Sequence, residues 1–363
     1  MRACRSQSLA GGLVGRLALL LSLCLTLVAA EASAAAEGER WSAAARNDAL
    51  ARAIVWQQPD VPIGAADLAR PPDSLPEEVS CTFKVTPVHG TVRKFTCTLP
   101  SGEVLRVKYA GPEPHGEVAA SRLLLALGFG ADHVGYVRRV RCHGCPWAPF
   151  ATMKAVTLAR ATGLYERVAR GDRAVDFDWV AVERPFQGEQ IRTGAVEGWT
   201  FHEFAGTRTA SPAHADALRL LAVFLAHWDN KSENQRLVCL SGGPAADGRC
   251  ATPLAMLQDV GATFGPRKVT LSAWRKATIW TDRAQCEIGM ADMPHGGATF
   301  VPVRVSEAGR RFLGERLGAL YADQVAGLFR GARFEPRYGT VKEWVEVFAA
   351  RVALITEGPP CPQ

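Results

Sequence analysis

Directly after an apolar helix opened by Ser211-Pro212 and ending near Ala226, the chain runs His227-Trp228-Asp229-Asn230-Lys231-Ser232-Glu233-Asn234. A further 25 residues beyond Asn234, Asp259-Val260-Gly261 follows the apolar stretch LAML with only Gln258 between. Upstream, Lys108 ends a strand-like segment and Glu117 stands on the helix that follows. Any one of these features alone is an ordinary turn, a snorkelling lysine or a first-turn carboxylate. A fold that uses them together must bring three segments distant in sequence, at Lys108, at 227–234 and at Asp259, to one place.

The flanking segments read as an α+β chain. CTFKVTPV, VRKFTCTL and EVLRVKYA are rich in Val, Thr, Phe or Tyr and are bounded by Gly or Pro, which predicts an antiparallel meander from Cys81 onward. Pro114 and Glu117 open a helix that runs through RLLLAL and stops at Gly128. Another strand is expected at Trp179 to Glu183. The second half is mainly helical, with helices after Ser306 and Asp323 and a last amphipathic one from about Val341 to Ile355. A small β-rich lobe followed by a larger helical one is the expected architecture, with no internal repeats.

HWDNKSEN resembles the catalytic loop of protein kinases, HRDxKxxN, with His, Asp, Lys and Asn at the same relative spacing. Asp259-Val260-Gly261 is similar to the DFG-type metal-binding segment, and Lys108 with Glu117 to the kinase lysine–glutamate pair. The resemblance covers roughly residues 80 to 262 by motif, and the later helices by architecture only. It implies a protein-kinase-like bilobal fold that binds ATP, or another nucleotide, with Mg²⁺ or Mn²⁺. Phosphoryl transfer asks a protein to hold phosphates, place metal charge and align a hydroxyl. On that reading Asp229 is the catalytic base and Lys231 offsets charge on the transferring group. Asn234 and Asp259 hold the metal, Lys108 contacts the phosphates, and Glu117 fixes Lys108. Gly261 allows a tight turn beside Asp259, and His227 buttresses the loop. Glu183 is a candidate for adenine-facing contacts. The chain departs from the ordinary kinase pattern in four ways. No GxGxxG precedes Lys108, leaving the turn HGTVRKF, with Gly90, Thr91 and Lys94, as the phosphate cover. Val260 replaces Phe, no APE segment follows, and Lys108 and Glu117 are only nine residues apart. These departures point to an atypical, secretory-pathway or lipid-kinase-like branch.

Export is expected from the N-terminus. Arg2, Arg5 and Arg16 precede an uncharged apolar run, Leu17 to Ala30, whose 14 residues are too few to span a bilayer. Ala32-Ser33-Ala34 supplies a small-residue cleavage pattern, so residues 1–34 read as a signal peptide. Eight cysteines remain beyond it, an even number that favours disulfides in an exported chain. Cys81 and Cys97 lie symmetrically about His89-Gly90, and Cys239 and Cys250 flank a Gly/Pro/Asp-rich insertion, so each pair is a candidate bridge. Cys142 and Cys145 form a lone CxxC without a second metal-binding pair, which reads as structural.

Across all 363 residues, 48% hydrophobic and 21% charged content excludes a disordered chain and a multi-span membrane protein. Lys and Arg exceed Asp and Glu by six, but they are scattered, so no nucleic-acid surface is expected. Residues 35–76 read as a leader, 77–183 as the first lobe with its helix, and 184–363 as the helical lobe. The function expected is a metal-dependent phosphotransferase acting outside the cytoplasm on a hydroxyl of a protein, lipid or small molecule. The alternatives are an exported pseudokinase that binds a nucleotide or protein partner, and a disulfide-stapled interaction protein.

Overall fold

The computed structural model describes residues 40–362 except 72, 160–172, 195, 207–210 and 267; the expected signal peptide lies outside them. In chain order the first elements are α1 (Ala43–Ala51), β1 (Glu78–Lys84), β2 (Lys94–Thr98), β3 (Val104–Lys108), α2 (Glu113–Ala126), β4 (Gly130–Ala131) and β5 (His133–His143). Next come α3 (Pro149–Leu158), β6 (Ala174–Arg184), β7 (Glu189–Gln190), α4 (Phe201–Gly206), α5 (Pro212–Leu225), β8 (Gln235–Cys239) and β9 (Pro253–Leu257). The C-terminal part adds α6 (Leu271–Lys276), α7 (Glu307–Gly318), α8 (Ala322–Gly331) and α9 (Val341–Thr356). The chain is an α+β protein.

Strict alternation builds the first sheet. In β1, Val79, Cys81 and Phe83 point inward while their neighbours face solvent. Phe95 and Cys97 of β2 and Leu105 and Val107 of β3 complete that apolar face. The meander does not stay open. The strands run β1-β2-β3-β6-β5, and a parallel pairing of β1 with β5, placing Cys81 opposite Cys142, closes a barrel. Strand β5 has no counterpart in the sequence reading. Its buried Val134, Val137 and Val140 fall three apart rather than two, although its antiparallel pairing with β6 keeps one register from His133–Arg184 to His143–Ala174.

Helix α2 starts at the Pro112–Pro114 turn and ends before Gly128, whose φ of 89 suits a residue without Cβ. It is buried nearly all round, and its Val118, Ala119, Leu123 and Leu124 join the larger helical core rather than the barrel core. The leader joins it too: Trp41, Leu50 and Leu68 are buried there, and Trp56 bridges to Phe129. The four-stranded sheet β4-β9-β8-β7 lies within this part, and β9 is buried at every position. Among the C-terminal helices, buried Arg351 donates from all three guanidinium nitrogens to the carbonyls of Val223, Phe224, Trp274 and Ala277.

All eight described cysteines are paired, as Cys81–Cys97, Cys142–Cys145, Cys239–Cys250 and Cys286–Cys361. Such bridges are those of an oxidising compartment. The β1–β2 register puts Phe83, not Cys81, opposite Cys97, so that bridge is diagonal rather than symmetric about His89-Gly90. Among the described residues no helix is long and apolar enough to cross a membrane.

Candidate functional site

Pairing of β2, β3 and β6 sets Lys108 at the barrel's inner end, where α2 packs beneath it. Lys108 is 1% exposed and its Nζ stands 2.5 Å from Glu117 Oε1, 3.0 Å from Asp259 Oδ1 and 3.1 Å from Glu183 Oε2. Burial opposes its charge, but Asp259, Glu117 and Glu183 together hold the ammonium well above its ordinary range. Lys108 in turn keeps the Asp259 carboxyl far below its usual value, against burial and with help from Lys94. Burial pushes Glu117 up, with Asp259 and Glu183 adding to it and Lys108 opposing. Asp259 retains 28% of its side-chain surface and is thus the member of the cluster that a ligand can reach. Its φ of 50 is uncommon outside glycine, although Asp tolerates it better than most residues.

The polar loop is held by its own side chains. Ala226 ends α5 in the left-handed region at φ 54, which turns the chain sharply into His227. Asn230 donates Nδ2 to the His227 carbonyl at 2.8 Å, and Gln235 donates Nε2 to the Asn230 carbonyl at 2.7 Å. Thr299 donates its N–H to Asn230 Oδ1 at 2.8 Å. Asn234 donates Nδ2 to the Asp229 carbonyl at 2.7 Å, so its amide oxygen is the end available to a cation. Asp229 keeps 34% of its side-chain surface, with Lys231 Nζ 3.6 Å away. His227 is fully buried with no hydrogen-bond partner on either ring nitrogen, and burial lowers its pKa to about 4.

The β8–β9 hairpin joins this loop to Asp259. Gln235 pairs with Leu257, and the Gln258 N–H donates to the Asn234 carbonyl at 2.9 Å. Asn234 and Asp259 therefore leave the same end of one hairpin, while Lys108 reaches Asp259 from the barrel.

Three expectations change. Glu183 does not offer its side chain to a base edge: it is 1% exposed and paired with Arg106 at 2.5 Å as well as with Lys108. Gly261 does stand in a turn after Asp259, but it is close approach that requires a glycine, since a Cβ there would lie 2.3 Å from Glu113 Cγ and 3.0 Å from the Glu113 carbonyl. Ser211 makes no side-chain cap to α5. Gly90 and Thr91 lie in the turn between β1 and β2, tied to α3 by Lys154 Nζ donating to the Gly90 carbonyl at 2.7 Å. Half-buried Lys94 lies close beneath, its pKa lowered by burial and supported by Asp259. Sequence reading missed Arg106, Gln235 and Thr299, which act by position and carry no motif.

Among the described residues no group of three His, Cys, Asp or Glu side chains could hold an ion alone. A carboxylate and an amide oxygen are donor types that Mg²⁺ takes, with its remaining ligands from phosphates and water.

No protein-family model matches the sequence, and no curated protein matches it. Among solved structures, the chain is similar to the Helicobacter pylori proinflammatory kinase CtkA, at a TM-score of 0.45 and 8% identity over 77% of this chain and 96% of that one. A likeness that loose decides nothing about the site.

Proposed function

We propose that the chain is a metal-dependent phosphotransferase of atypical protein-kinase-like, bilobal build. The β-rich part over 77–183 would cover a nucleotide, and the helical part over 184–363 would carry the catalytic loop. The observation that carries this reading is the meeting of Lys108, Glu117 and Asp259 beside a hairpin end that also presents Asn234. Mg²⁺ or Mn²⁺ held by Asp259 and Asn234 would bring ATP, or another nucleotide, with its phosphate charge offset. Lys108, fixed by Glu117, then contacts the phosphates. Asp229 orients an acceptor hydroxyl and takes its proton, and Lys231 offsets charge that builds on the transferring group. The acceptor is a protein, lipid or small molecule met outside the cytoplasm, in keeping with the disulfides.

Fully ionised, Lys94, Arg106 and Lys108 balance Glu117, Glu183 and Asp259, so the cluster has no surplus positive charge for phosphates. Nucleotide binding therefore depends on the divalent cation. The burial of Lys108 among three carboxylates also favours a second reading, in which the domain binds a nucleotide or protein partner without transfer.

Thermal unfolding with ATP and Mg²⁺ or Mn²⁺ separates these. Ligand at about 100 times Kd stabilises by roughly 2.7 kcal/mol, a rise of about 2–4 °C or less for a chain this long. Asp259→Ala should abolish the rise. Asp229→Ala should keep it and lose phosphoryl transfer. A rise without transfer to any acceptor in the unaltered chain supports the binding module. No rise with any nucleotide removes both readings.

A further inference from the structure

Helix α2 has a second side, facing away from Lys108. Between its back, the leader segment 57–75 and the start of β5 lies a cavity of about 600 Å³, within the roughly 300–1,000 Å³ of small-molecule sites. Val61, Leu75, Leu125, Val137 and Phe186 supply an apolar wall, and Asp60, Asp67 and Asp73 line the leader side. Arg122 of α2 also lines it, at 5% exposure.

Arg122 is incompletely matched. Its Nη1 donates to the carbonyls of Leu68 at 3.2 Å and Ala69 at 2.5 Å, while its buried Nε has no partner. Its Nη2 lies against Gly135, another lining residue, where a Cβ would come within 3.2 Å, so a side chain there would crowd the guanidinium. Among the described residues no carboxylate stands within ion-pair distance of Arg122. Asp67 accepts from the N–H groups of Ala69 and Arg70, and Asp73 is paired with His133. Arg184, another lining cation, is already paired with Glu103. Burial lowers the Arg122 pKa to about 10, with Asp67 and Asp73 opposing from a distance.

Arg351 provides the contrast. It is as deeply buried, but carbonyl oxygens meet every nitrogen of its guanidinium, so it has no capacity left. A buried cation lacking an anion is costly. Arg122 bears that cost on the helix side of the cavity, beside Leu125 and Val137, where an anion carrying its own apolar body would relieve it.

We propose that this cavity binds a small amphipathic anion, a carboxylate on an aliphatic or aromatic body, with the head on Arg122 and the body along Leu125, Val137 and Phe186. The site is separate from the Lys108 cluster and does not depend on any activity there.

Calorimetric titration of the disulfide-intact chain with decanoate, with decanol as the uncharged control, tests it without nucleotide. The expected result is saturable decanoate binding at one site, with decanol weaker by about tenfold or more. Gly135→Val, which crowds Nη2 at the cavity wall, should weaken decanoate by about tenfold or more and leave far-UV dichroism unchanged. Should Gly135→Val fail to fold, Leu125→Trp, which fills the cavity from the helix, carries the same expectation. Absence of saturable decanoate binding overturns the proposal. So does equal affinity for decanol, or decanoate binding that a folded filled-cavity variant leaves intact.

Discussion

His227 pays the clearest local penalty, a fully buried imidazole whose two ring nitrogens lack partners. Its folded pKa of about 4 lies below the ordinary 6.5 because burial disfavours the imidazolium, despite Asp229 and Asp259 nearby. Between those values the unfolded chain binds more protons, so stability rises with pH across the window and is lost as pH falls through it. Urea unfolding at pH 7 and pH 4.5 should show the unaltered protein losing about 2–3 kcal/mol more than His227→Phe. Glu117 and Asp132, whose pKa values burial raises, act in the opposite sense but are common to both proteins. Equal losses would mean that His227 is neutralised by something other than burial. At this scale the motif residues were legible because each is chemically distinctive and correctly spaced. The roles of Glu183 and Gly261 were not, since a pairing with Arg106 and a contact with Glu113 depend on chain segments far apart in sequence.

The site's geometry rests on how α2 meets the Asp259-Val260-Gly261 segment. A Cβ on Gly116 would lie 2.9 Å from the Gly261 carbonyl, and one on Gly261 would lie 3.0 Å from the Glu113 carbonyl. These are backbone contacts that cannot swing aside. Gly261→Ala and Gly116→Ala should each destabilise by about 1–3 kcal/mol through overpacking, and each should weaken the response to metal and nucleotide. Gly318→Ala at the end of α7, where nothing lies within 4 Å, is the control and should cost nothing. Unchanged unfolding midpoints in the first two variants would show that the helix and the segment are not in firm contact. The elements themselves were largely legible: alternation marked β1 to β3, while Pro and Gly marked the ends of α2. Strand β5 was not, because its buried residues break strict alternation and its partner β6 lies beyond a connection that contains α3.

Across the molecule, closure of the barrel by β1 and β5 could not be read, since a parallel pairing leaves no local turn signal. Nor could the assignment of α2 to the helical core, because a helix buried all round has no preferred face. Cys81–Cys97 and Cys239–Cys250 were legible from spacing, while Cys286–Cys361 spans 75 residues and was not. That distance sets its worth. By loop closure, removing it should cost about 4 kcal/mol, against about 2 kcal/mol for Cys142–Cys145. Urea unfolding of Cys286→Ser/Cys361→Ser and Cys142→Ser/Cys145→Ser should rank in that order, and the reverse order would show that strain or packing, not chain entropy, governs. The most direct measurement on the site itself is Mn²⁺ binding followed by electron paramagnetic resonance, with and without ATP. Mn²⁺ should be taken up with ATP by the unaltered chain and by Asp229→Ala, but not by Asp259→Ala. Equal uptake by folded Asp259→Ala, or none by the unaltered chain, would contradict the shared cation site.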